Sequence, residues 1–212
     1  MADLRRLALD HAARLFRTQG YAAVTMRDIA TACGVKAGSL YYHFASKEQI
    51  VAEVLDTGVD LVFARVRRQT DALPAGAALP LRLRTAIAAH LHTLLGRNDY
   101  IGANIRIFNH VPDRVRTEAL TLRQLYEAWW QELLDQGARD GAFLPGTDLR
   151  LVRLFLMGAM NWSLEWHHFD DQGSSGQGSS DGQGFGRHDV DAVADRLAAM
   201  VLHGVSAAPA AG

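Results

Sequence analysis

The sequence is poor in cysteine and in long apolar runs, and each shortage excludes a class of protein. Cys33 is the only cysteine among the 212 residues, so an internal disulfide cannot form. No apolar run reaches the ~20 residues that a transmembrane helix requires. The start of the chain is too highly charged for a secretory signal peptide, since it includes Asp3, Arg5, Arg6, Asp10, Arg14 and Arg17. We therefore expect a soluble, cytoplasmic protein with no membrane partner.

Sequence motifs of enzymes and cofactor sites are lacking as well. The chain contains no nucleophile–base motif, no P-loop and no dinucleotide fingerprint. Histidine is plentiful, but the pairs His90/His92 and His167/His168 are one or two residues apart. Metal ligands on one face of a helix are three or four residues apart. We therefore expect no enzyme, no metal site and no cofactor.

Charge is nearly balanced over the whole chain but unevenly distributed along it. Residues 1–50 contain seven Lys or Arg and four Asp or Glu, a net charge of +3. The remainder contains fifteen against nineteen, a net charge of −4. A basic segment suits a polyanion, because neutralised phosphates release counterions. The asymmetry is a weak indication that the N-terminal segment binds nucleic acid.

Helical periodicity runs through the chain, whereas strand signals are scarce. Apolar residues in 4–16 recur at spacings of three and four, which predicts a first helix that Gly20 ends. Capping-box pairs at Thr25/Asp28 and Ser46/Gln49 predict the starts of two more helices. The helices expected here after the first are 26–33, 37–44 and one from residue 46 to about residue 69.

The rest of the chain is also predicted to be helical, so the fold class is all-α. Residues 71–80 read as a Pro/Gly/Ala connector, and the Gly/Ser-rich segment 170–188 reads as a flexible loop. We expect two domains, one over 1–47 and one over 48–212. The helices expected in the second domain are 81–97, 101–109, 112–138, 148–169 and 189–205.

The second and third predicted helices have the pattern of a helix-turn-helix. A short turn that contains Gly34 joins them, and the second helix of such a pair enters the major groove of DNA. Leu40 and Phe44 are four residues apart and should face inward. The residues expected to contact DNA are Thr25, Arg27, Gly38, Ser39, Tyr41, Tyr42, His43 and Lys47. The small residues Gly38 and Ser39 would let the backbone approach DNA closely, and the tyrosine and histidine rings carry hydrogen-bond donors. Lys47 would bind a phosphate.

At this point the sequence resembles the TetR family of transcriptional regulators. The resemblance rests on "TMRDIATACGVKAGSLYYHFASKEQI", residues 25–50. Lys36 departs from the serine or threonine of many members, and it adds a positive charge to the DNA-binding set. The resemblance implies a homodimer on a palindromic operator, a C-terminal domain that binds a small effector, and dimerisation through the last two long helices.

All four tryptophans lie in two of the predicted C-terminal helices. Trp129 and Trp130 are in one, and Trp162 and Trp166 are in the other. They either line an apolar ligand cavity or pack the core and the dimer interface. The run Gly-x-x-Asn-Trp that contains Asn161 resembles the equivalent helix of TetR members that sense fatty acyl-CoA or related CoA thioesters.

Two effector classes remain open on these residues. A carboxylate at Glu165 disfavours an anionic ligand unless Arg106, Arg123 or Arg153 offsets its charge. Tryptophans with Glu165 would instead suit a lipophilic cation, as in multidrug-type repressors that control efflux genes. We favour the small hydrophobic CoA thioester, with a site formed by Arg106, Trp129, Trp130, Asn161, Trp162, Glu165 and Trp166.

These expectations combine into one regulatory hypothesis. The dimer binds its operator through residues 25–47 of each chain. The effector binds a state in which helix 47–69 has moved, so that the two recognition helices no longer match successive major grooves. This coupling requires the effector to bind the two states with different affinities.

Overall fold

A computed structural model describes residues 4–96, 98–173 and 190–204, with the backbone alone over 164–173. This part of the chain forms α-helices and one 3-10 turn at Phe108–His110, with no strand. The helices are α1 Leu4–Gln19, α2 Met26–Ala32, α3 Ala37–Tyr41, α4 Lys47–Asp71, α5 Leu79–Leu95, α6 Asp99–Ile107, α7 Asp113–Arg139, α8 Leu149–Gly173 and α9 Val190–Gly204. The all-α prediction is confirmed.

Most predicted helix boundaries are correct to within a few residues, and α3 shows the clearest difference. It ends at Tyr41 instead of continuing to Phe44. The amides of His43 and Phe44 both donate to the carbonyl of Leu40, each at 3.0 Å, and this shared acceptor closes the helix in a turn. Of the predicted loop 170–188, residues 170–173 belong to α8 and the rest lie outside the described residues.

The chain divides into two compact units, and α4 and α7 contribute residues to both. Unit 1 consists of the described residues of 1–61 and 97–126. Unit 2 consists of those of 62–96 and 127–212. Unit 1 is thus larger than the predicted segment 1–47, because it includes α6 and the first half of α7. The functional division at residue 47 stays a prediction.

The core of unit 1 joins the helix-turn-helix to α1, α4 and α6. Alanines on the inner face of α1 are fully buried, and large side chains of unit 1 fill the same core. Each of these side chains is at most 1% exposed, and burial of one contributes roughly 1.5–3 kcal/mol. The largest of them are Phe16, Ile29, Leu40, Phe44, Ile50, Leu55 and Ile107.

Helix α6 is attached to α1 and α4 by polar contacts as well as by packing. Arg17 on α1 pairs with Asp99 at 2.5 Å, and the hydroxyl of Tyr100 donates to Asp10 at 2.7 Å. The amide of Asn104, which is buried, donates to the backbone carbonyl of Leu55 on α4 at 2.8 Å. These bonds connect residues 49 to 90 positions apart and hold α6 as part of unit 1.

Unit 2 is built from α5, α8 and α9 with parts of α4 and α7. Arg84 on α5 pairs with Asp195 on α9. In a second contact between these helices, Nε2 of His92 lies 3.3 Å from Oδ1 of Asp191. A Cβ added at Gly137 would overlap the side chain of Leu79, so α5 and α7 approach closely there. The buried side chains of this unit include Leu83, Ile87, Leu91, Trp130, Leu134, Leu156, Met160, Ala194 and Ala198.

Helix α8 is apolar on two faces. Leu156 and Met160 point into unit 2, whereas a second row of large apolar residues is exposed. We call this row the outer stripe; it consists of Leu151, Leu154, Phe155 and Trp162. Its spacing of three, four or seven residues places its members on one side of the helix. Across 4–96, 98–173 and 190–204, no helix combines the length and apolarity needed to cross a bilayer.

Candidate DNA-binding surface and effector region

The start of α2 is fixed by the predicted capping box at Thr25. The hydroxyl of Thr25 accepts from the amide of Asp28 at 3.2 Å, and the carboxylate of Asp28 accepts from the amide of Thr25 at 2.8 Å. The hydroxyl of Thr25 also donates to Asp28, and these hydrogen bonds lower the pKa of that carboxyl. The capping prediction is confirmed. Thr25 and Arg27 are exposed, so both are accessible to a phosphate.

A left-handed glycine makes the turn between α2 and α3. Gly34 has φ +71°, a conformation that favours glycine. The next amide, of Val35, donates back to the carbonyl of Ala30 at 3.0 Å and closes the end of α2. Lys36 then precedes α3 with an exposed side chain that forms no capping hydrogen bond. Its charge is therefore available to a partner.

Helix α3 presents its rings to solvent and its aliphatic anchors to the core. Leu40 and Phe44 are buried, as predicted. Tyr41 is 54% exposed and Tyr42 is 87% exposed. Tyrosine is enriched at interfaces, because its ring is apolar and its hydroxyl can hydrogen-bond to a partner. The short helix thus offers two phenolic hydroxyls to a ligand.

The remaining predicted contacts of α3 surround these tyrosines. Gly38 and Ser39 are exposed, and a Cβ added at Gly38 would meet nothing within 4 Å. The backbone is therefore open to close approach. His43 is half-buried, and its ring packs edge-on against Tyr42 with 5.2 Å between ring centroids.

Lys47 lies in a different environment from the other predicted DNA contacts. Its ammonium donates to the backbone carbonyls of Tyr21 at 2.7 Å and Val24 at 2.8 Å. It also lies 3.8 Å from the centroid of the Tyr21 ring. Burial lowers the pKa of Lys47, and the neighbouring Glu48 opposes that shift. Sequence reasoning missed these two acceptors.

The predicted effector residues that the structure describes have different settings within their units. Trp129 and Trp130 pack edge to face in unit 2 with centroids 5.4 Å apart, and Trp130 is fully buried. Trp162 is 64% exposed on the outer stripe of α8. Arg106 is exposed in unit 1. The side chains of Glu165 and Trp166 lie outside the described part of the chain.

Two of the three arginines that could offset an acidic pocket are engaged with other groups. Arg153 donates to Glu127 at 2.9 Å and to Gln131 at 3.1 Å. Arg123 donates to Asn104 at 3.0 Å, and its guanidinium stacks 3.9 Å from the centroid of Phe108. Arg106 is the one of the three that is exposed.

His90 is a buried polar residue that sequence reasoning considered only as a metal ligand. It is 2% exposed, its ring packs on Trp130, and it hydrogen-bonds to the side chain of Asn161. Burial lowers the pKa of His90 to about 4, so the imidazole is neutral at neutral pH. Its position in the apolar run "AIAAHLHTLL" was the available signal. Among the described residues, no three His, Cys, Asp or Glu side chains are grouped to hold a metal.

A surface groove of about 290 Å³ lies in unit 2 around the α4–α5 connection. Its lining is mixed, with Arg82, Gln136 and Asp140 beside small and apolar residues. None of the predicted effector residues contributes to it.

Comparison with known proteins decides the family. The model of the tetR family of bacterial regulatory proteins matches residues 8–54, and that of the tetracyclin repressor-like C-terminal domain matches residues 81–177. KstR2, an HTH-type transcriptional repressor of Mycobacterium tuberculosis (strain H37Rv), is 32% identical over 165 residues, which cover 75% of this chain and 78% of KstR2. The chain belongs to the TetR family. As a TetR-family protein it is a ligand-responsive transcriptional repressor with a DNA-binding helix-turn-helix, and not an enzyme.

Three solved structures share the fold of this chain. The ketosteroid transcriptional regulator KstR2 of M. tuberculosis is 28% identical with a TM-score of 0.69, over 98% of this chain and 97% of that one. AibR in complex with isovaleryl coenzyme A and operator DNA is 21% identical with a TM-score of 0.72, over 94% and 98%. FadR of Bacillus subtilis in complex with stearoyl-CoA is 18% identical with a TM-score of 0.75, over 94% and 98%. The last two likenesses, at their low identity, show the fold alone.

Proposed function

We propose that this TetR repressor reads a palindromic operator as a homodimer and is released from it by a CoA thioester of a hydrophobic acyl group. The exposure of Tyr41 and Tyr42 on a helix anchored by Leu40 and Phe44 carries the DNA-binding part. The proposed contact surface consists of Thr25, Arg27, Lys36, Gly38, Ser39, Tyr41, Tyr42 and His43.

Salt-dependent operator titration tests this surface. Lys36→Gln removes one exposed charge at the start of α3, so it should reduce the slope of log affinity against log salt by about 0.9 for each protomer. Arg65→Gln removes a charge that is also exposed, on the part of α4 in unit 2, and serves as the control. Tyr42→Ala should weaken binding by one to three kcal/mol, roughly the value of a good base contact. If all three variants had the same operator affinity and the same salt slope, the DNA would have to bind at another surface.

The proposed dimer interface is the outer stripe of α8. Four large apolar side chains in contact with water are costly, and a second copy of the chain would remove them from it. Phe155→Glu should therefore shift the protein toward the monomer in analytical ultracentrifugation. Leu144→Glu, at an exposed leucine that precedes α8, is the matched control and should leave the dimer intact. A dimeric Phe155→Glu variant would exclude this face.

The CoA-thioester part rests on the aromatic side chains of unit 2, and the ligands of proteins that share the fold agree with it. AibR and FadR are described with acyl-CoA ligands, and KstR2 is described as a ketosteroid regulator. Here Phe63, Trp129, Trp130 and His90 form a chain of edge-to-face rings with centroids 5.4 to 6.5 Å apart. Such an apolar cluster with few polar groups is typical of ligand sites between bundle helices.

Thermal-shift titration separates the candidate effectors. Isovaleryl-CoA and stearoyl-CoA should raise the melting temperature of the free protein and lower its operator affinity, whereas coenzyme A alone should do neither. Tetraphenylphosphonium represents the alternative, a lipophilic cation. A response to that cation alone would favour a multidrug-type repressor, and a response to neither class would refute both effector proposals.

A further inference from the structure

Lys47 is the first residue of α4, and its ammonium is directed at the turn between α1 and α2. Two backbone carbonyls, of Tyr21 and Val24, accept its protons at 2.7 and 2.8 Å. Among the hydrogen bonds of the described residues, these carbonyls accept from Lys47 alone. The contacts span 26 and 23 positions of sequence, so one side chain connects the turn to α4.

A second contact, which also forms without DNA, holds the same turn to α4. The Tyr21 hydroxyl donates to Glu48 at 3.1 Å, and the Tyr21 ring lies under the ammonium of Lys47. Burial raises the pKa of Tyr21, and the carboxylate of Glu48 adds to that rise. Tyr21, Lys47 and Glu48 thus form a clasp around the start of α4.

The hydrogen bonds of Lys47 reach the residue directly before the N-cap of α2. Val24, whose carbonyl binds Lys47, precedes Thr25, the N-cap of α2. Fixing this carbonyl fixes the position and direction of the first turn of α2, and α2 in turn carries α3. Charge-assisted hydrogen bonds are about twice as strong as neutral ones, so two of them hold both carbonyls of the turn to α4.

We propose that Lys47 is a positioning residue for operator binding, which orients α2 through the carbonyls of Tyr21 and Val24, rather than a residue that grips a DNA phosphate. The proposal rests on the proposed DNA-binding surface. The two roles differ in what the residue does without DNA. A positioning lysine is engaged in the free protein, whereas a phosphate contact forms only in the complex.

Lys47→Met separates the two roles, because it keeps an unbranched side chain only one heavy atom shorter and removes the charge. We expect faster hydrogen exchange of the amides of residues 21–26 in the free protein, an operator affinity lower by about tenfold, and an unchanged salt slope. A phosphate contact predicts unchanged exchange and a salt slope smaller by about 0.9 for each protomer. That second pattern would overturn the proposal. Lys36→Met, at an exposed lysine, is the control for exchange.

A measurement on the unmodified protein covers the case in which Lys47→Met does not fold. The ammonium signal of Lys47 in NMR, assigned by comparison with Lys47→Arg, should exchange slowly with water in the free protein. It should keep its chemical shift when operator DNA is added. A rapidly exchanging signal that shifts on DNA addition would overturn the proposal. If the protein binds no operator at all, the proposed DNA-binding surface fails, while hydrogen exchange still shows whether Lys47 holds the turn before α2.

Discussion

Acidification is expected to destabilise the folded protein through His90. The ordinary pKa of histidine is about 6.5, and burial lowers the pKa of His90 to about 4 in the folded protein. Between these two pH values the unfolded chain binds a proton that the folded chain does not. Stability therefore falls as pH falls from 6.5 toward 4, and it is fully present above this range.

The size of the effect follows from the difference between the two pKa values. At roughly 1.4 kcal/mol for each pH unit, the full loss below pH 4 is about 3 kcal/mol. At pH 5 the unfolded imidazole is almost fully protonated, and the loss has reached about 2 kcal/mol. A domain of this kind has a free energy of unfolding of ~5–15 kcal/mol, so the change is measurable.

Urea unfolding at pH 7, 6 and 5, followed by tryptophan fluorescence at fixed protein concentration, tests this prediction. Carboxylates also titrate, so the informative quantity is the difference between the wild type and His90→Gln. Glutamine keeps a hydrogen-bonding group for Asn161 and cannot be protonated. Between pH 7 and pH 5, the free energy of unfolding of the variant should fall by about 2 kcal/mol less than that of the wild type. His110→Gln, at an exposed histidine, should match the wild type. Equal pH dependence in wild type and His90→Gln would refute the reasoning.

Two further substitutions test the attachment of α6 in unit 1. The buried side chain of Asn104 donates to α4 and accepts from Arg123, and Asn104→Leu removes both hydrogen bonds. The free energy of unfolding in urea titrations should therefore fall by about 2–4 kcal/mol. An unchanged midpoint would contradict this. Gly58→Ala should destabilise by more than about 1 kcal/mol despite the better helix propensity of alanine, because its Cβ would lie 2.9 Å from the carbonyl of Tyr100. Gly38→Ala, at an exposed glycine of α3 with nothing within 4 Å, should instead stabilise the free protein by about 0.5–1 kcal/mol; if both alanines had the same effect, the close approach at Gly58 would be excluded.

Local signals in the sequence predicted the helix-turn-helix well. The capping box at Thr25, the left-handed Gly34 and the inward pair Leu40 and Phe44 depend on neighbours within four or five residues. Interactions of this range are specified by residue type and spacing alone. The exposure of Tyr41 and Tyr42 could also be predicted, because Leu40 and Phe44 already define the buried face.

Contacts between distant segments could not be predicted in the same way. Helical periodicity located α6 but not its attachment to α1 and α4, which needs Asp99 beside Arg17 and Asn104 beside a carbonyl of α4. The acceptors of Lys47 are backbone carbonyls, and backbone atoms leave no trace in residue type. His90 was read by its spacing to other histidines, although its burial depends on how α5 packs against Trp130.

The attachment of α6 to α1 has a consequence for the order in which this protein folds during synthesis. Unit 1 takes its residues from 1–61 and 97–126, so its core cannot close when the helix-turn-helix leaves the ribosome. It must wait for some sixty more residues, during which the apolar faces of α1 and α4 are uncovered and open to misassembly. A chimaera that grafts this DNA-binding specificity onto another regulator should therefore carry residues 97–126 together with the N-terminal segment.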